Sequence, residues 1–309
     1  MKTILRNYQG PEDFIKIRDF LKDAYYSFGK PLNWGLERWN WGRFHPCMFE
    51  GDSTARKSHI DHFENAVRIW EQAGQIVALL NTEWREANGE FWVQRVPSAA
   101  VLLDEILAEA ERYMANPADG KLLLDIYDHD TQLLAAAEKR GYQRPEDCGY
   151  WSEIDIEAEQ IPLLPPGFSI HSMAEAESRL DLRCKAQGLG FNHPDPAEWS
   201  TPEEYALVQT APDYHAEQDL YVLAPDGQYA SVCIVWYDDK NRFGVYEPVC
   251  TPPDFRRMGL GRAVIQEGLN RLYRLGARKA YVGSGQDFYS AIGFRRNYIS
   301  RQWTKQLSI

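Results

Sequence analysis

The sequence predicts an α/β protein in which two similar modules, each a mixed β-sheet flanked by helices, follow one another. Strand-like and helix-like segments occur in the same order, βα-ββ-βα-βα-ββ, in both halves. Between the halves, residues 157–167 hold three prolines and a glycine, which is typical of a linker. A hydrophobic content of 44% in 309 residues suffices for two cores. We therefore expect one domain at 1–156 and another at 168–309.

Each half opens with a strand and a helix and continues into a hairpin. The first hairpin turns at Ala73-Gly74 and the second at Pro225-Asp226-Gly227, compositions that favour tight turns. The segments predicted in the first half are 3–8, 14–25, 66–71, 75–83, 91–96, 100–114 and 121–127. Those predicted in the second half are 168–173, 179–188, 220–224, 229–237, 244–250, 262–275 and 279–282.

Pro248 interrupts the predicted strand at 244–250. Because proline cannot donate a ladder hydrogen bond, its presence inside a strand indicates either a sheet edge or a β-bulge. The sequence leaves both interpretations open.

A basic, glycine-containing turn connects that strand to the helix at 262–275. The N–H groups at a helix start have no intrahelical partner and carry partial positive charge, so the turn predicts a phosphate site. It is not a P-loop, which requires Gly-Lys-Ser/Thr, and it lacks the third glycine of a dinucleotide fingerprint, where Val264 stands. The residues of the predicted site are Arg256, Arg257, Met258, Gly259, Leu260, Gly261 and Arg262.

Two motifs in this order resemble those of the GNAT superfamily of acyl-CoA N-acyltransferases. The first, Gln/Arg-x-x-Gly-x-Gly/Ala, is met by Arg256, Gly259 and Gly261. The second, Phe-Tyr-x-x-x-Gly-Phe, is met by the segment from Phe288 to Phe294. The resemblance covers residues 168–307 and implies a GNAT fold, acetyl-CoA as co-substrate and direct acetyl transfer to an amine.

The resemblance also implies where acetyl-CoA binds. The basic turn would hold the pyrophosphate, and the end of the bulged strand, Val249, Cys250 and Thr251, would pair with the pantetheine arm. Amides freed by a bulge would in addition stabilise the oxyanion of the reaction.

Two side chains are candidates for the proton transfers. Glu247 lies on the cofactor strand and is a candidate base for the amine; the alternatives are a structural ion pair or a contact with the substrate's ammonium group. Tyr289 matches the family's usual general acid, since a phenol stays protonated at neutral pH; a packing role is the alternative.

The two halves end alike, which indicates a tandem duplication. When Gly141 is aligned with Gly293, Ala137 takes the position of Tyr289, and only Pro97-Ser98-Ala99 stands where the second half has its glycine turn. We therefore expect a degenerate first module and one cofactor site per chain.

Other candidate sites are weaker. Cys250 could be proposed as a nucleophile, but no histidine adjoins it in sequence, and a small residue beside a cofactor explains it better. His59 and His62 have a spacing that suits a metal pair, but no second pair of ligands is evident, so we expect no metal site. The aromatic stretch at 33–45 predicts either packing or the wall of an acceptor pocket.

Composition narrows the partners. A net charge of −11 disfavours a nucleic-acid partner, including RNA-borne substrates, and suits a small-molecule or peptide amine. No apolar run approaches the roughly 18 residues of a membrane span, and no signal-peptide core is present. Five cysteines without paired spacing favour a reducing cytoplasm. We expect a monomer or homodimer, and the alternative function is a non-catalytic acyl-CoA-binding regulatory module.

Overall fold

The computed structural model describes residues 2–31, 34–45, 53–83 and 87–308. In the first half of the chain the elements are β1 (Thr3–Asn7), α1 (Pro11–Phe28), α2 (Leu36–Phe44), α3 (Ser53–Ala66), β2 (Arg68–Gln72), β3 (Gln75–Asn81), β4 (Glu90–Arg95), α4 (Leu103–Tyr113), β5 (Lys121–Tyr127), α5 (Thr131–Lys139) and β6 (Gly149–Asp155). In the second half they are β7 (Ser169–Ser172), α6 (Leu180–Gly190), α7 (Pro202–Val208), β8 (Asp219–Leu223), β9 (Tyr229–Asp238), β10 (Phe243–Cys250), α8 (Leu260–Arg274), β11 (Lys279–Val282), α9 (Asp287–Ile292) and β12 (Arg295–Gln306).

The chain divides into two compact units. Unit 1 contains Met1–Arg43, Thr54–Trp151 and Asn297–Ile309, and unit 2 is built mainly from Ser152–Arg296. The C-terminal residues of the chain thus belong to the unit formed by its N-terminal half. The predicted boundaries at 156 and 168 stay a prediction.

The two units have the same strand order. In unit 1, β1, β2, β3 and β4 form an antiparallel run, β4 pairs with β5 in parallel, and Ser300–Gln306 of β12 closes the series against β5. In unit 2, β7 to β10 form the antiparallel run, β10 pairs with β11 in parallel, and Ser152–Asp155 of β6 takes the last place. Each unit therefore takes its sixth strand from the other half of the sequence.

Each unit has a core between its sheet and its helices. In unit 1 the alternating residues Leu122, Leu124 and Ile126 of β5 face α4 and α5, with Trp303 of β12 among them. In unit 2 the α8 residues Val264, Ile265 and Leu272 are fully buried against β9, β10 and β11. At roughly 25 cal/mol per Å² of apolar area removed from water, side chains of this size each contribute about 1.5–3 kcal/mol.

The helices α5 and α9 end in the same way. Gly141 and Gly293 follow them with φ values of 83° and 123°. Behind each glycine, a backbone N–H returns to the helix: Tyr142 N donates to Ala137 O at 3.0 Å, and Phe294 N donates to Tyr289 O at 3.1 Å. The alignment of Gly141 with Gly293 therefore holds in three dimensions, and it pairs Ala137 with Tyr289.

The mixed α/β architecture is confirmed, and both hairpins turn at the predicted residues. The aromatic stretch was not predicted as a helix, but most of it forms α2, where Trp39 is fully buried between Phe14 and Phe63, each with a ring-centroid distance of 5.0 Å. Packing is thus the role of Trp39, while Asn33 lies outside the described residues. In the part of the chain that the structure describes, no helix has the length and apolar character needed to cross a membrane.

Candidate active site

The basic turn at Arg256–Gly261 leads into the N-terminus of α8. Gly259 is the N-cap residue in a left-handed conformation, with φ at 82°, and Arg257 shares this conformation at 66°. No side chain caps the helix, so the first amides of α8 stay available to an anion. A Cβ atom at Gly259 would meet nothing within 4 Å, which shows open space in front of the turn. The geometry suits a phosphate group.

The arginines around the turn differ in what they contact. Arg256 Nε donates to Thr251 O at 2.9 Å, and its Nη2 donates to Gly190 O at 3.0 Å and to Asn192 Oδ1 at 2.8 Å. Arg262 donates to the carbonyl of Ala291, which joins α8 to α9. Arg256 and Arg262 therefore brace the turn, and the exposed Arg257 is the better candidate for direct contact with an anion.

Close packing brings three predicted segments together. A Cβ atom at Gly261 would lie 3.1 Å from Cζ of Phe288 and 3.3 Å from Oγ1 of Thr251. The start of α8 thus lies against the end of β10 on one side and the start of α9 on the other. A glycine at position 261 allows this close approach, since a Cβ atom would force Phe288 or Thr251 to shift by a few tenths of an ångström.

The strand β10 is central and bulged. It lies between β9 and β11, and its register with β9 shifts between Tyr246 and Val249, around a cis peptide bond at Glu247–Pro248. The bulge interpretation of Pro248 is therefore confirmed, and the sheet-edge interpretation is wrong. The hydroxyl of Tyr246 donates to Ile265 O at 2.7 Å and Trp236 Nε1 donates to Glu247 O at 2.7 Å, which fixes the bulge from α8 and from β9.

Beyond the bulge, β10 separates from β11. The two strands pair only from Phe243 to Val245, whereas β10 continues to Cys250 and stays paired with β9 through Val249 and Cys250. The hydroxyl of Ser231 holds the strand end by donating to Cys250 O at 3.1 Å. The edge of residues 246–250 that faces away from β9 is therefore open to a partner with amide groups.

Tyr289 lies beside this opening. It is on α9, only 8% exposed, and its ring meets Phe294 edge-on at 5.8 Å. Burial raises the pKa of Tyr289 above its ordinary value, and the negative charge of Glu247 raises it further. The phenol is therefore protonated at neutral pH and close enough to Glu247 to be influenced by its charge.

Glu247 is half-buried at the bulge, and its backbone carbonyl is held by Trp236. Glu247 lies within the bulge because Pro248, the next residue, cannot donate a ladder hydrogen bond. The structure thus brings together both predicted catalytic residues, Glu247 and Tyr289, and the end of the cofactor strand.

The Cys250 thiol faces away from the opening. It lies against α6, with Sγ 3.8 Å from Ala186 O, and a Cβ atom at Gly190 would lie 2.6 Å from this sulfur. Burial raises the pKa of Cys250 to about 12. A thiol in this state is almost entirely protonated at neutral pH, so the geometry disfavours a covalent intermediate on Cys250.

His59 and His62, whose spacing would suit a metal pair, lie one turn apart on α3. Within the described ranges, no group of three or more histidine, cysteine, aspartate or glutamate side chains could hold a metal ion.

A buried charge network in unit 2 was not predicted from the sequence. Asp219, fully buried, accepts from Arg183 Nε at 2.9 Å, from the Tyr205 hydroxyl at 2.5 Å and from the Tyr214 hydroxyl at 2.8 Å. The charge of Asp219 keeps the pKa of Arg183 raised although burial lowers it. The network fixes α6 and α7 against the start of β8, behind the cysteine that ends β10. Arg183 lies 36 residues before Asp219, so no local pattern could have revealed the pairing of these two charges.

Comparison with known proteins identifies the fold and the domain. Residues 189–296 match the family described as acetyltransferase (GNAT) family. A tandem GNAT protein from the clavulanic acid biosynthesis pathway is similar over 100% of this chain and 99% of its own, with a TM-score of 0.63 and 12% identity. A GCN5-related N-acetyltransferase from Sphaerobacter thermophilus is similar over 99% and 97%, with a TM-score of 0.61 and 16% identity. A search of curated proteins finds no match.

The protein thus has the tandem GNAT fold, as the sequence predicted. The family match at residues 189–296 covers the turn, the bulged strand and Tyr289. The GNAT family uses acetyl-CoA as its co-substrate.

Proposed function

We propose that the protein transfers an acetyl group from acetyl-CoA to a primary amine of a small molecule or peptide. The observation that carries the proposal is the separation of β10 from β11 directly before an uncapped helix N-terminus. The unpaired amides at the end of β10 match the amide-rich pantetheine arm of CoA. The uncapped amides at the start of α8, a few residues later, match its pyrophosphate.

The residues of this segment have distinct roles in the proposal. Val249, Cys250 and Thr251 offer backbone groups to the pantetheine arm and to the negative charge that develops on the acetyl oxygen. The amides of Gly259, Leu260, Gly261 and Arg262 face the pyrophosphate, with Arg257 and the 40%-exposed Met258 at the outer side. Arg256 holds the turn in shape by its bonds to Thr251, Gly190 and Asn192.

The transfer requires a neutral amine, because an ammonium group has no lone pair. Glu247 accepts the amine's proton in the proposal, directly or through water. The nitrogen then bonds to the acetyl carbon and loses its second proton to water. The carbon–sulfur bond breaks as the Tyr289 hydroxyl gives its proton to the departing sulfur, and water afterwards reprotonates the phenol. Direct transfer in a ternary complex is supported by the state of Cys250, whose raised pKa makes it a poor nucleophile.

The acceptor class rests on charge. A net charge of −11 favours the approach of a cationic amine and disfavours nucleic acid. Cys148, Cys184, Cys233 and Cys250 are all free thiols, which supports a cytoplasmic location, and we propose a monomer or homodimer.

The test is a turnover screen with acetyl-CoA over a panel of small amines and lysine-bearing peptides, read as release of free thiol. The expected result is thiol release that depends on one class of amine and is lost in Gly259→Glu. Tight CoA binding without turnover on any amine would contradict the enzyme and favour a regulatory acyl-CoA-binding module.

A further inference from the structure

Unit 1 contains a cavity of about 190 Å³ between its separated strands. The parallel pairing of β4 with β5 covers only Glu90 and Phe91, and both strands then continue. Trp92 and Gln94 of β4 and Asp125 and Tyr127 of β5 line the cavity that opens there. By strand order this is the counterpart in unit 1 of the opening between β10 and β11 in unit 2.

The cavity is not built for CoA. The helix that follows β4 is preceded by a 3₁₀ turn at Pro97–Leu102, which contains no glycine, and no basic turn precedes α4. The amides that would face a pyrophosphate are therefore replaced by a closed turn. The gap between β4 and β5 is therefore present in unit 1, but the helix start that would bind a pyrophosphate is not.

Four aromatic rings contribute to the wall of the cavity. Trp34, Trp92, Tyr127 and Trp151 all line the cavity, and the rings of Trp34 and Trp92 meet at 4.7 Å with an interplanar angle of 50°. The backbone N–H of Trp34 donates to Gln94 Oε1 at 2.7 Å, which fixes this ring at the mouth of the strand pair. Rings inclined to one another present several π faces to one point, and π faces attract cations.

The carboxylate of Asp125 lines the same space and has no cationic partner within the described part of the chain. The only hydrogen bond of Asp125 among the described residues is a long one, 3.4 Å from Gln302 Nε2, and that amide makes a shorter bond of 2.8 Å to Glu90. The pKa of Asp125 is raised by its burial. A carboxylate that is shielded from water and accepts only one long hydrogen bond is stabilised when a cation lies beside it.

Among the described residues that line the cavity, the other charged groups do not compensate the negative charge of Asp125. Arg38 lines the wall, but it is ion-paired with Glu83, which lines it too. Burial raises the pKa of Tyr127, and the charges of Glu37 and Asp125 raise it further, so Tyr127 is neutral. The electrostatic potential within the cavity is therefore negative.

We propose that this cavity of unit 1 binds a small organic cation with at least one N–H group, a protonated alkylamine, between its aromatic wall and the carboxylate of Asp125. The aromatic rings contact the charged group and the alkyl part of the ligand, and the carboxylate of Asp125 accepts a hydrogen bond from its N–H group. The site is separate from the acetyl-transfer site and does not depend on the proposed function, because its argument uses only residues of unit 1.

The test is a titration of the whole protein with propylammonium, followed by tryptophan fluorescence, since three tryptophans line the cavity. Saturable binding with a change in emission is expected, and 1-propanol, the neutral counterpart, should produce none. Asp125→Asn should weaken binding at least tenfold. This variant should fold, because it removes a poorly solvated charge, and its melting temperature is measured alongside. The matched control is Asp119→Asn, on an exposed turn of the same unit, which should bind as the wild type does.

Any one of three results would overturn the proposal. One is the absence of saturable binding by the wild-type protein. Another is unchanged affinity for propylammonium in the folded Asp125→Asn variant, since the carboxylate would then have no part in recognition. Binding of tetramethylammonium as tight as that of propylammonium would count in the same way, because tetramethylammonium has no N–H group. Binding should also weaken as the pH falls and Asp125 becomes protonated, and a pH-independent affinity between pH 4 and 8 would contradict the role of its charge.

Discussion

Ala137 and Tyr289 occupy the same position at the ends of two equivalent helices, and only Tyr289 brings a hydroxyl group. Each residue's carbonyl accepts the N–H of the residue five positions on, behind a glycine of positive φ. Both side chains are buried, Ala137 completely and Tyr289 to all but 8%. The duplicated framework has therefore been retained in both halves, whereas a side chain able to donate a proton occurs at this position in the second half alone.

Removal of the Tyr289 hydroxyl should affect chemistry more than binding. Tyr289→Phe retains the edge-on contact with Phe294, so the fold should hold. We expect turnover to fall by roughly 10²–10⁴-fold with an unchanged CoA dissociation constant, as for the loss of a general acid. Steady-state kinetics and calorimetry measure the two quantities. Tyr237→Phe, which loses an exposed hydroxyl bonded to Leu275 O, is the control and should be fully active. Full activity of Tyr289→Phe would assign the acid role elsewhere.

Deprotonation of Tyr289 should not reduce activity at any pH up to 9.5. Burial raises the pKa of this phenol, so its protonated form persists above its ordinary value of about 10. We expect the rate with a fixed amine to stay level up to pH 9.5 once the acceptor is neutral. A decline centred near pH 8 that disappears in Tyr289→Phe would show that the phenol ionises far earlier.

Glu247→Gln distinguishes a base from a residue that only holds the acceptor. If Glu247 removes the amine's proton, the variant should be slow at pH 7 and recover as the pH rises toward the pKa of the free amine, about 10.4 for a lysine side chain. A variant that merely fails to hold the ammonium group should instead show a raised KM with little change in kcat. The measurement is kcat and KM from pH 6 to 10, and normal kcat at pH 7 would exclude the base role.

Cys250 should resist alkylation in the native protein. At pH 8 a thiol with a pKa of about 12 is thiolate in only about one molecule in ten thousand, and this one is also buried. Cys148 is only half-buried and provides the internal comparison. Peptide mass spectrometry after iodoacetamide treatment should find Cys148 modified and Cys250 unmodified. Rapid modification of Cys250 with loss of activity would reopen a covalent mechanism.

The Arg183–Asp219 pair should be important for stability. Asp219→Ala leaves a fully buried guanidinium without its carboxylate, which costs about 3–5 kcal/mol in the free energy of unfolding. Combination with Arg183→Met should recover part of that loss, because the charge is then gone. Urea unfolding measures both. Glu159→Ala, which breaks an exposed pair with Arg274, should leave the midpoint unchanged. An equal midpoint for Asp219→Ala would contradict the network.

Local features of this protein were predictable from sequence, and distant pairings were not. The hairpin turn at Ala73-Gly74 follows from backbone preferences of the residues themselves. Pro248 likewise indicated a break in the ladder, but the sequence alone did not decide between a bulge and a sheet edge. The exchange of last strands and the meeting of Arg183 with Asp219 depend on contacts between distant segments, for which a single sequence has no pattern. The role of Arg256 changed for the same reason: its charge was evident, but its bonds to Gly190 and Asn192 come from a separate helix end.

The central claim is that one CoA site exists per chain and that it is formed by the turn at Gly259. Calorimetric titration of CoA tests it most directly, with Gly259→Glu compared with Gly227→Glu. Both glycines have a positive φ, 82° and 84°, with open space around the missing Cβ, so both variants carry the same backbone strain. We predict one CoA per chain for the wild type and for Gly227→Glu, and no measurable binding for Gly259→Glu. Two CoA molecules per chain, or unchanged affinity in Gly259→Glu, would contradict the account.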